Sequence, residues 1–348
     1  MTKSIPIYII GAGGIVNTAH LPAYKKAGFA VQGIYDLDYS KALATANVFG
    51  IPAVFKSIAE MVEQLPQQFV FDIAVPADAL TGIVQQLPND ATVLLQKPMG
   101  NNYTEAKVIR ALVHQKQMKA AVNFQLRYAP FILAAKQLIK EGAIGDLCDV
   151  EINVNVFTPW HLWDFLFSSP RVEILYHSIH YIDLVRHLLG NPVSVYAKTV
   201  KHPAMPQLAS VRSSIIMDYG DTIRANILTN HCHQFGLQQQ QSYIKLEGSR
   251  GAIKIKMGVL ISYPEGVPDS FEYVTLKDNE LPQWKTIPIE GTWFPDAFAG
   301  SMQQVMMAAT GVIDKPDNSV DDAIDTMACM EAAYRSSEQG GVALETIR

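Results

Sequence analysis

The first 122 residues alternate short apolar runs with helix-like stretches, and this alternation limits the possible folds more than any other feature. The apolar runs lie at 5–10, 30–36, 69–76, 91–96 and 120–124. Between them, helical periodicity or helix-end signals occur at about 14–27, at 39–49, up to about 87, and at 103–117. Parallel strands need a long crossover, which is usually a helix. The order therefore predicts a doubly wound parallel sheet with helices on both faces.

The pattern changes after about residue 150, where apolar and polar residues alternate strictly. Val150, Ile152 and Val154 would face one way and the polar residues between them the other, which is typical of a half-buried strand. Similar runs recur at 193–200, 210–218, 222–229, 242–247 and 252–256, and more weakly at 271–276. Helices are expected at about 130–141, 172–189 and 320–338. These segments predict one large open sheet, mainly antiparallel.

The length of 348 residues is typical of two domains, and the change of pattern sets their boundary. We expect an α/β chain with a first domain at 1–122 and a second at 123–348. The C-terminal helix is expected to pack back on the first domain.

Charge and cysteine content exclude several classes of partner and location. A net charge of −5 and the lack of a Lys/Arg run argue against nucleic acid and anionic membranes. The three cysteines, Cys148, Cys232 and Cys329, form no CxxC motif, which favours a reducing, cytoplasmic compartment. No run reaches the ~18 apolar residues of a membrane span. The N-terminal apolar run lacks a cleavage motif and is interpreted as the first strand, not as a signal peptide.

A glycine turn follows the first predicted strand in "IYIIGAGGIV". Gly11 permits a tight turn, and Gly13 lets backbone amides approach a pyrophosphate at the start of the next helix. The third position of this dinucleotide-binding pattern is Val16, a departure from glycine or alanine. The second strand ends in Asp36, whose carboxylate can accept ribose hydroxyls and would repel a 2′-phosphate. The pattern predicts NAD rather than NADP, with a glycine turn in an unrelated α/β domain as the alternative.

A lysine ends the fourth apolar run, in "LLQKPMG" at 94–100. The carboxyl ends of parallel strands form the edge where doubly wound sheets bind ligands. Pro98 restricts the backbone of Lys97 to extended geometry. Lys97 is therefore a candidate for stabilising negative charge on a substrate oxygen, with a solvated surface lysine as the alternative.

The predicted helix at 172–189 carries three functional side chains at helical spacing. Tyr176, His180 and Asp183 share one face, and His177 flanks that face. A histidine that is oriented by a carboxylate can act as a general base. Each histidine taken singly is better explained by a structural role.

A zinc site is the weaker interpretation of the histidines. His177 and His180 are spaced i, i+3, and His231 and His233 would share one face of a strand. Nothing in the sequence places the two pairs together, so we predict no metal.

Several motifs in order resemble the Gfo/Idh/MocA oxidoreductases, the family of glucose–fructose oxidoreductase and inositol dehydrogenase. The resemblance covers nearly the whole chain. The matching segments are "YIIGAGGIV", "FDIAVP", "LLQKPMG", "NFQLRYAP" with "GAIGDL", "HYIDLVRHLLG", and "FPDAFAGSM" with "SVDDAIDTMACMEAAYRSSEQGG". The resemblance implies an N-terminal Rossmann domain, a C-terminal α/β domain with a large open sheet, and hydride transfer between a nicotinamide and a sugar or polyol. It also implies a homodimer or homotetramer.

The chain departs from the family pattern at three positions. Gln96 replaces a glutamate, Tyr176 replaces an aspartate, and Leu80 lies near the place of a histidine. Lys97 and His180 match the family's catalytic lysine and histidine.

The expected site combines the residue patterns with this resemblance. His180 would remove the hydroxyl proton, Lys97 would stabilise the resulting oxyanion, and Tyr176 would orient the substrate or relay a proton. The expected cofactor contacts are Gly11, Gly13, Gly14, Ile15, Asp36, Pro76, Gln96 and Lys97. The expected substrate contacts are Arg127, Trp160, His161 and His177, where Trp160 and Trp163 would stack on a sugar unless they pack in the core.

Two other functions are compatible with the sequence. One is an NAD-assisted hydrolase or lyase that oxidises a sugar transiently, with no net redox change. The other is a non-catalytic NAD-binding protein, because a fold can outlive its chemistry.

Overall fold

The computed structural model describes residues 5–343, which divide into two compact units. The first unit comprises residues up to 130 together with 291–327, and the second comprises 131–290 together with the residues from 328 onward. The first unit thus includes a late segment that the predicted division at 122/123 gave to the second domain.

The first unit contains a six-stranded sheet in the order β3-β2-β1-β4-β5-β6, and every pair in it is parallel. This confirms the predicted doubly wound sheet. The sequence did not predict β3, a three-residue edge strand. The strands are β1 (Ile7–Ile10), β2 (Val31–Tyr35), β3 (Ala53–Phe55), β4 (Val70–Ile73), β5 (Thr92–Leu95) and β6 (Lys119–Val122).

Helices connect these strands, and one further helix comes from the late segment. A π-helical turn at Val16–His20 leads into α1 (Leu21–Ala27), and a 3₁₀ turn at Ala77–Ala79 leads into α4 (Leu80–Gln86). Between these two lie α2 (Tyr39–Phe49) and α3 (Ile58–Glu63). The remaining elements of the unit are α5 (Tyr103–Gln115), a 3₁₀ turn at Gln125–Tyr128, and α8 (Asp296–Ala309).

Helix α8 explains why the first unit needs residues 291–327. Its side chains Phe298, Met302 and Val305 are buried in the same apolar core as the residues of β1. The sequence did not predict this helix, since Gly300 interrupts its helical pattern. A Cβ at Gly300 would lie 2.4 Å from the Cβ of Tyr128, so glycine there permits close packing.

The second unit contains an eight-stranded sheet in the order β14-β13-β12-β11-β7-β10-β9-β8. All its pairs are antiparallel except β7–β10, which is parallel. The predicted large, mainly antiparallel sheet is confirmed. The strands are β7 (Leu147–Asn155), β8 (Ser194–Val200), β9 (Arg212–Asp218), β10 (Arg224–Asn230), β11 (Gln241–Gly248), β12 (Gly251–Lys256), β13 (Ser270–Thr275) and β14 (Lys285–Thr286).

One face of this sheet is buried, since Val150, Ile152 and Val154 of β7 are buried as their alternation predicts. Helix α6 (Pro130–Lys140) precedes β7, and a π-helical turn at Ile174–Ser178 leads into α7 (Ile179–Leu189). Helix α9 (Val320–Gln339) begins in the first unit and ends in the second. No helix between residues 5 and 343 is long and apolar enough to cross a membrane.

Candidate functional site

The glycine turn of the first unit has the geometry that a dinucleotide phosphate needs. Gly11 has φ +110°, and a Cβ there would lie 2.3 Å from the carbonyl oxygen of Ala74. A Cβ on Gly13 or Gly14 would meet nothing within 4 Å. Only glycine therefore fits at the first position, while the second and third border open space. The amides of Val16 and Asn17 donate to the carbonyl of Gly13, so an anion would meet the amides that precede Val16 at the start of this turn.

Asp36 lies beside this turn and is fixed by two backbone amides. Its Oδ2 accepts a hydrogen bond from the amide of Ala12 at 2.7 Å, and its Oδ1 accepts one from Asp38 at 2.8 Å. Each carboxylate oxygen has a second lone pair, so both can still accept ribose hydroxyls. Leu37 is 92% exposed and supplies no positive charge for a 2′-phosphate.

The carboxyl ends of β1, β4, β5 and β6 lie side by side in this unit. Ala74 donates to the carbonyl of Ile10, Gln96 to that of Ile73, and Asn123 to that of Leu95, each at 2.8 Å. Pro76 follows β4 at the start of a 3₁₀ turn. The predicted cofactor residues of three strands are therefore at one edge of the sheet.

Lys97 lies two residues beyond the end of β5 at this edge and is partly buried. Burial disfavours the ammonium form and lowers the pKa of Lys97 to about 7. The side chain thus exchanges its proton near neutral pH, unlike an ordinary solvated lysine.

A buried chain of polar groups leads to Gln96 and was not predicted from the sequence. The side-chain nitrogen Nδ2 of Asn123 donates to Gln96 Oε1 at 2.9 Å and lies 3.4 Å from His20 Nε2. On the other side of the ring, His20 Nδ1 and the hydroxyl of Tyr24 each lie 2.7 Å from Asp72 Oδ2. The one available signal was Asp72, a charged residue within an otherwise apolar buried strand.

The second unit carries the predicted helix residues close to the start of α7. His180 is 6% exposed, and Tyr176 and His177 are half-buried. The ring of Tyr176 packs edge-on against Phe165, with centroids 5.5 Å apart. The ring of His177 lies 4.5 Å from that of His231, so the structure unites two histidines that the sequence left apart.

The other predicted substrate residues differ in their surroundings. Trp160 is 2% exposed and belongs to an apolar cluster with Leu166 and Val172, whereas His161 is exposed. Arg127 is 1% exposed in the first unit. Its guanidinium donates to the carbonyl of Asp317 at 3.0 Å and pairs with the carboxylate of Asp322.

No group of three or more His, Cys, Asp or Glu residues within the described range 5–343 is arranged to hold a metal ion. The pairing of His177 with His231 therefore does not extend to a third ligand of these types.

Two family models match the chain, and together they span both units. The NAD-binding Rossmann fold of the Gfo/Idh/MocA oxidoreductases matches residues 5–124, and the C-terminal α/β domain of the same family matches residues 136–344. The chain belongs to the Gfo/Idh/MocA oxidoreductase family. This membership confirms the resemblance inferred from the motifs, the NAD-binding Rossmann domain and the assignment to the oxidoreductases.

Individual relatives are distant but cover almost the whole chain. A D-apiose dehydrogenase from Paraburkholderia graminis is 22% identical over 347 residues, which is 95% of this chain and 87% of that protein. The structure of an oxidoreductase from Agrobacterium radiobacter, in complex with NAD⁺, L-tartaric acid and magnesium, has a TM-score of 0.81 at 19% identity and covers 99% of this chain and 100% of its own. A proposed NADPH-dependent oxidoreductase from Desulfitobacterium hafniense has a TM-score of 0.80 at 14% identity, covering 100% and 99%. These structures share the fold.

Proposed function

We propose that this family member is an NAD-dependent dehydrogenase that oxidises a secondary alcohol of a sugar, a polyol or a related polyhydroxylated molecule. One observation carries the proposal. The glycine turn, Asp36 and Lys97, whose pKa is lowered, all lie at the same edge of the parallel sheet. Two relatives support this substrate class: one is named a D-apiose dehydrogenase, and the structure of another contains L-tartaric acid. D-Apiose and L-tartaric acid both carry secondary hydroxyls.

The residues of the glycine turn fit the cofactor. Gly13, Gly14 and Ile15 would hold its pyrophosphate with backbone amides, and Asp36 would bind the adenosine ribose. Pro76 and Gln96 would contact the nicotinamide half. When bound, NAD supplies the acceptor for the two electrons that leave the alcohol carbon.

Lys97 would stabilise the oxygen of the alcohol as it loses its proton. An ammonium in a partly dry site stabilises developing negative charge more strongly than one in water. Its lowered pKa also lets Lys97 exchange a proton near neutral pH.

His180 would take the hydroxyl proton as general base, with Tyr176 as the group that orients the substrate or relays the proton. Both side chains lie on adjacent turns at the start of α7, since they are spaced i, i+4. His177 and His161 remain candidates for binding substrate hydroxyls. Arg127 and Trp160 already make buried contacts, so a substrate would meet only the edges of these side chains that those contacts leave uncovered.

Two alternatives receive less support. The relative that matches 95% of this chain is named a dehydrogenase, which favours net oxidation of the substrate over transient oxidation or a non-catalytic role. Assembly as a homodimer or homotetramer is also part of the proposal. Static light scattering on the purified chain would show a monomer if this part is wrong.

A substrate panel tests the function. Sugars, polyols and hydroxy acids are offered with NAD and with NADP, and NADH or NADPH absorbance is followed. We expect steady accumulation of NADH with at least one compound, and a catalytic efficiency with NAD at least about tenfold higher than with NADP, because Asp36 repels the 2′-phosphate. Turnover of a sugar without net NADH would support the hydrolase or lyase, and a lower KM for NADP would contradict the role of Asp36.

The Gln96→Glu variant tests whether Lys97 acts as the ammonium ion. A carboxylate next to Lys97 favours its charged form and raises its pKa. If the ammonium is the active form, kcat/KM of the wild type falls as pH rises through about 7, and in Gln96→Glu this fall moves up by about one pH unit or more.

The matched control is Gln86→Glu, which adds the same charge at an exposed position of α4. We expect its pH profile to coincide with that of the wild type. If the profile of Gln96→Glu also coincides with the wild type, residue 96 does not influence the ionisation of Lys97.

A further inference from the structure

A buried polar cluster lies behind His177 in the second unit. Glu173 is 0% exposed and His231 is 1% exposed, although neither belongs to the predicted site. Glu173 directly precedes the π-helical turn at Ile174–Ser178, and His231 directly follows β10.

The surroundings of Glu173 favour its ionised carboxylate despite its burial. Burial raises the pKa of Glu173, but hydrogen bonding and charge from His231, with hydrogen bonds from Ser213 and Ser178, outweigh it and bring the pKa below its usual value. Ser178 donates to Oε1 at 2.7 Å, and Ser213 donates to Oε2. Such a buried charge is costly unless all its lone pairs are used.

The orientation of His231 follows from its two neighbours. Its Nε2 lies 3.4 Å from Glu173 Oε1, and its Nδ1 lies 2.9 Å from the hydroxyl of Thr158. An ionised carboxylate accepts and does not donate, so the tautomer of His231 that suits this contact carries its proton on Nε2. The ring is thereby held by Thr158 at Nδ1 and faces the carboxylate of Glu173 with Nε2.

The ring of His177 in turn packs against two buried rings that also contact each other. Its centroid is 4.5 Å from that of His231, with the planes tilted by 49°, and 5.0 Å from that of Trp160, which meets it edge-on. Trp160 also packs edge-on against His231 at 5.7 Å. His177 is the half-buried member of the three, so it is the one that a ligand can reach.

We infer that Glu173 and His231 are positioning residues that hold the ring of His177 for contact with a hydroxyl of the substrate. The inference rests on the proposed function and deepens it, because it assigns to His177 a support built from residues far away in sequence. A purely structural role for Glu173 would need only hydrogen-bond donors. It would not need the ring that His231 places against His177.

Two replacements of His231 separate these roles. Gln in His231→Gln can donate to Glu173 but has no ring to support His177, whereas His231→Leu provides neither. We expect His231→Leu to lower the melting temperature, because the buried carboxylate of Glu173 loses its partner at residue 231. In His231→Gln we expect a much smaller decrease relative to the wild type. His233→Gln is the matched control, since His233 packs against Phe235 instead.

NMR spectroscopy of the protein without ligands reports the position of His177. The chemical shifts of its ring protons are expected to be displaced by the adjacent rings of His231 and Trp160. This shift should change in both His231→Gln and Glu173→Gln and stay unchanged in His233→Gln. Unchanged His177 resonances in the first two variants would overturn the inference.

The kinetic arm uses the best substrate of the panel. In His231→Gln, we expect the KM for the alcohol to rise on the order of tenfold, with kcat and the KM for NAD changed far less. In the His177→Ala background the same replacement should add nothing, because His231 acts through His177. An unchanged alcohol KM, or effects that simply add, would overturn the inference.

Wild-type activity and the alcohol KM of His231→Gln separate an error in the proposed function from an error in the positioning role. A wild-type chain that oxidises no alcohol contradicts the proposed function and, with it, the substrate contact of His177. An active wild type with a normal alcohol KM in His231→Gln contradicts the positioning role alone.

Discussion

Replacing Lys97 with methionine is expected to lower kcat by about 10²–10³-fold, the loss that follows removal of one group that stabilises an oxyanion. Methionine keeps most of the length of the side chain and removes the charge. Turnover is measured by NADH formation at saturating alcohol, and NAD affinity by titration calorimetry. We expect NAD to bind with nearly unchanged affinity, because the glycine turn and Asp36 are intact.

The stability of Lys97→Met provides a second readout with a defined sign. Burial lowers the pKa of Lys97 from 10.5 to about 7, so the folded chain binds this proton less tightly than the unfolded chain. The folded state is therefore penalised increasingly as pH falls from above 10.5 to about 7, and the full penalty persists below. Methionine removes the penalty, so we expect no lower melting temperature at pH 7 than in the wild type.

Lys107→Met is the matched control for this experiment, because Lys107 is exposed on α5 in the same unit. Its kcat should equal that of the wild type. If Lys97→Met also turns over at the wild-type rate, Lys97 has no part in the chemistry and the proposed mechanism is wrong.

Replacing His180 with asparagine is expected to lower kcat by about 10²–10⁴-fold, the usual contribution of a general base. The base must be unprotonated to act, so kcat/KM of the wild type should fall at low pH. His180→Asn should lose that dependence together with its rate. The pH profile of kcat/KM therefore distinguishes a lost base from a general loss of structure.

Tyr176→Phe decides which of the two neighbouring groups handles the proton. If His180 is the base, the tyrosine variant keeps the pH dependence and loses less activity than His180→Asn. The reverse order of activities would transfer the role to Tyr176. His202→Asn, in the loop between β8 and β9 of the same unit, is the control, and we expect wild-type kinetics for it.

The elements that the sequence predicted well are those with local end signals. Helix α2 was expected at 39–49 and spans Tyr39–Phe49. Its first amides, of Ser40 and Lys41, donate to the side chain of Asp38, and Gly50 ends it with φ +70°. Such signals act within a few residues, so a single sequence reveals them.

The features that the sequence did not reveal depend on distant partners. An alternating pattern favours antiparallel pairing, because antiparallel sheets often have one solvated face, so the parallel pairing of β7 with β10 was not predicted. Glu173 lies near the start of the predicted helix 172–189 with no sequence signal for its role, because its partners Ser213 and His231 lie on other elements. The candidate site was predictable where a motif is local, as at Gly11 and Lys97, and not where it is assembled from the fold.

Helix α8 has a consequence for how the chain is made. The core of the first unit includes Phe298, Met302 and Val305, which are synthesised only after the whole of the eight-stranded sheet. A nascent chain of 130 residues would contain all six parallel strands but would leave uncovered the apolar surface that α8 later buries. Domains generally fold in the order in which they are synthesised. Here the cofactor-binding unit begins first but is completed only after the eight-stranded sheet has been synthesised, so any binding of NAD that needs this core must wait until the ribosome has passed residue 309.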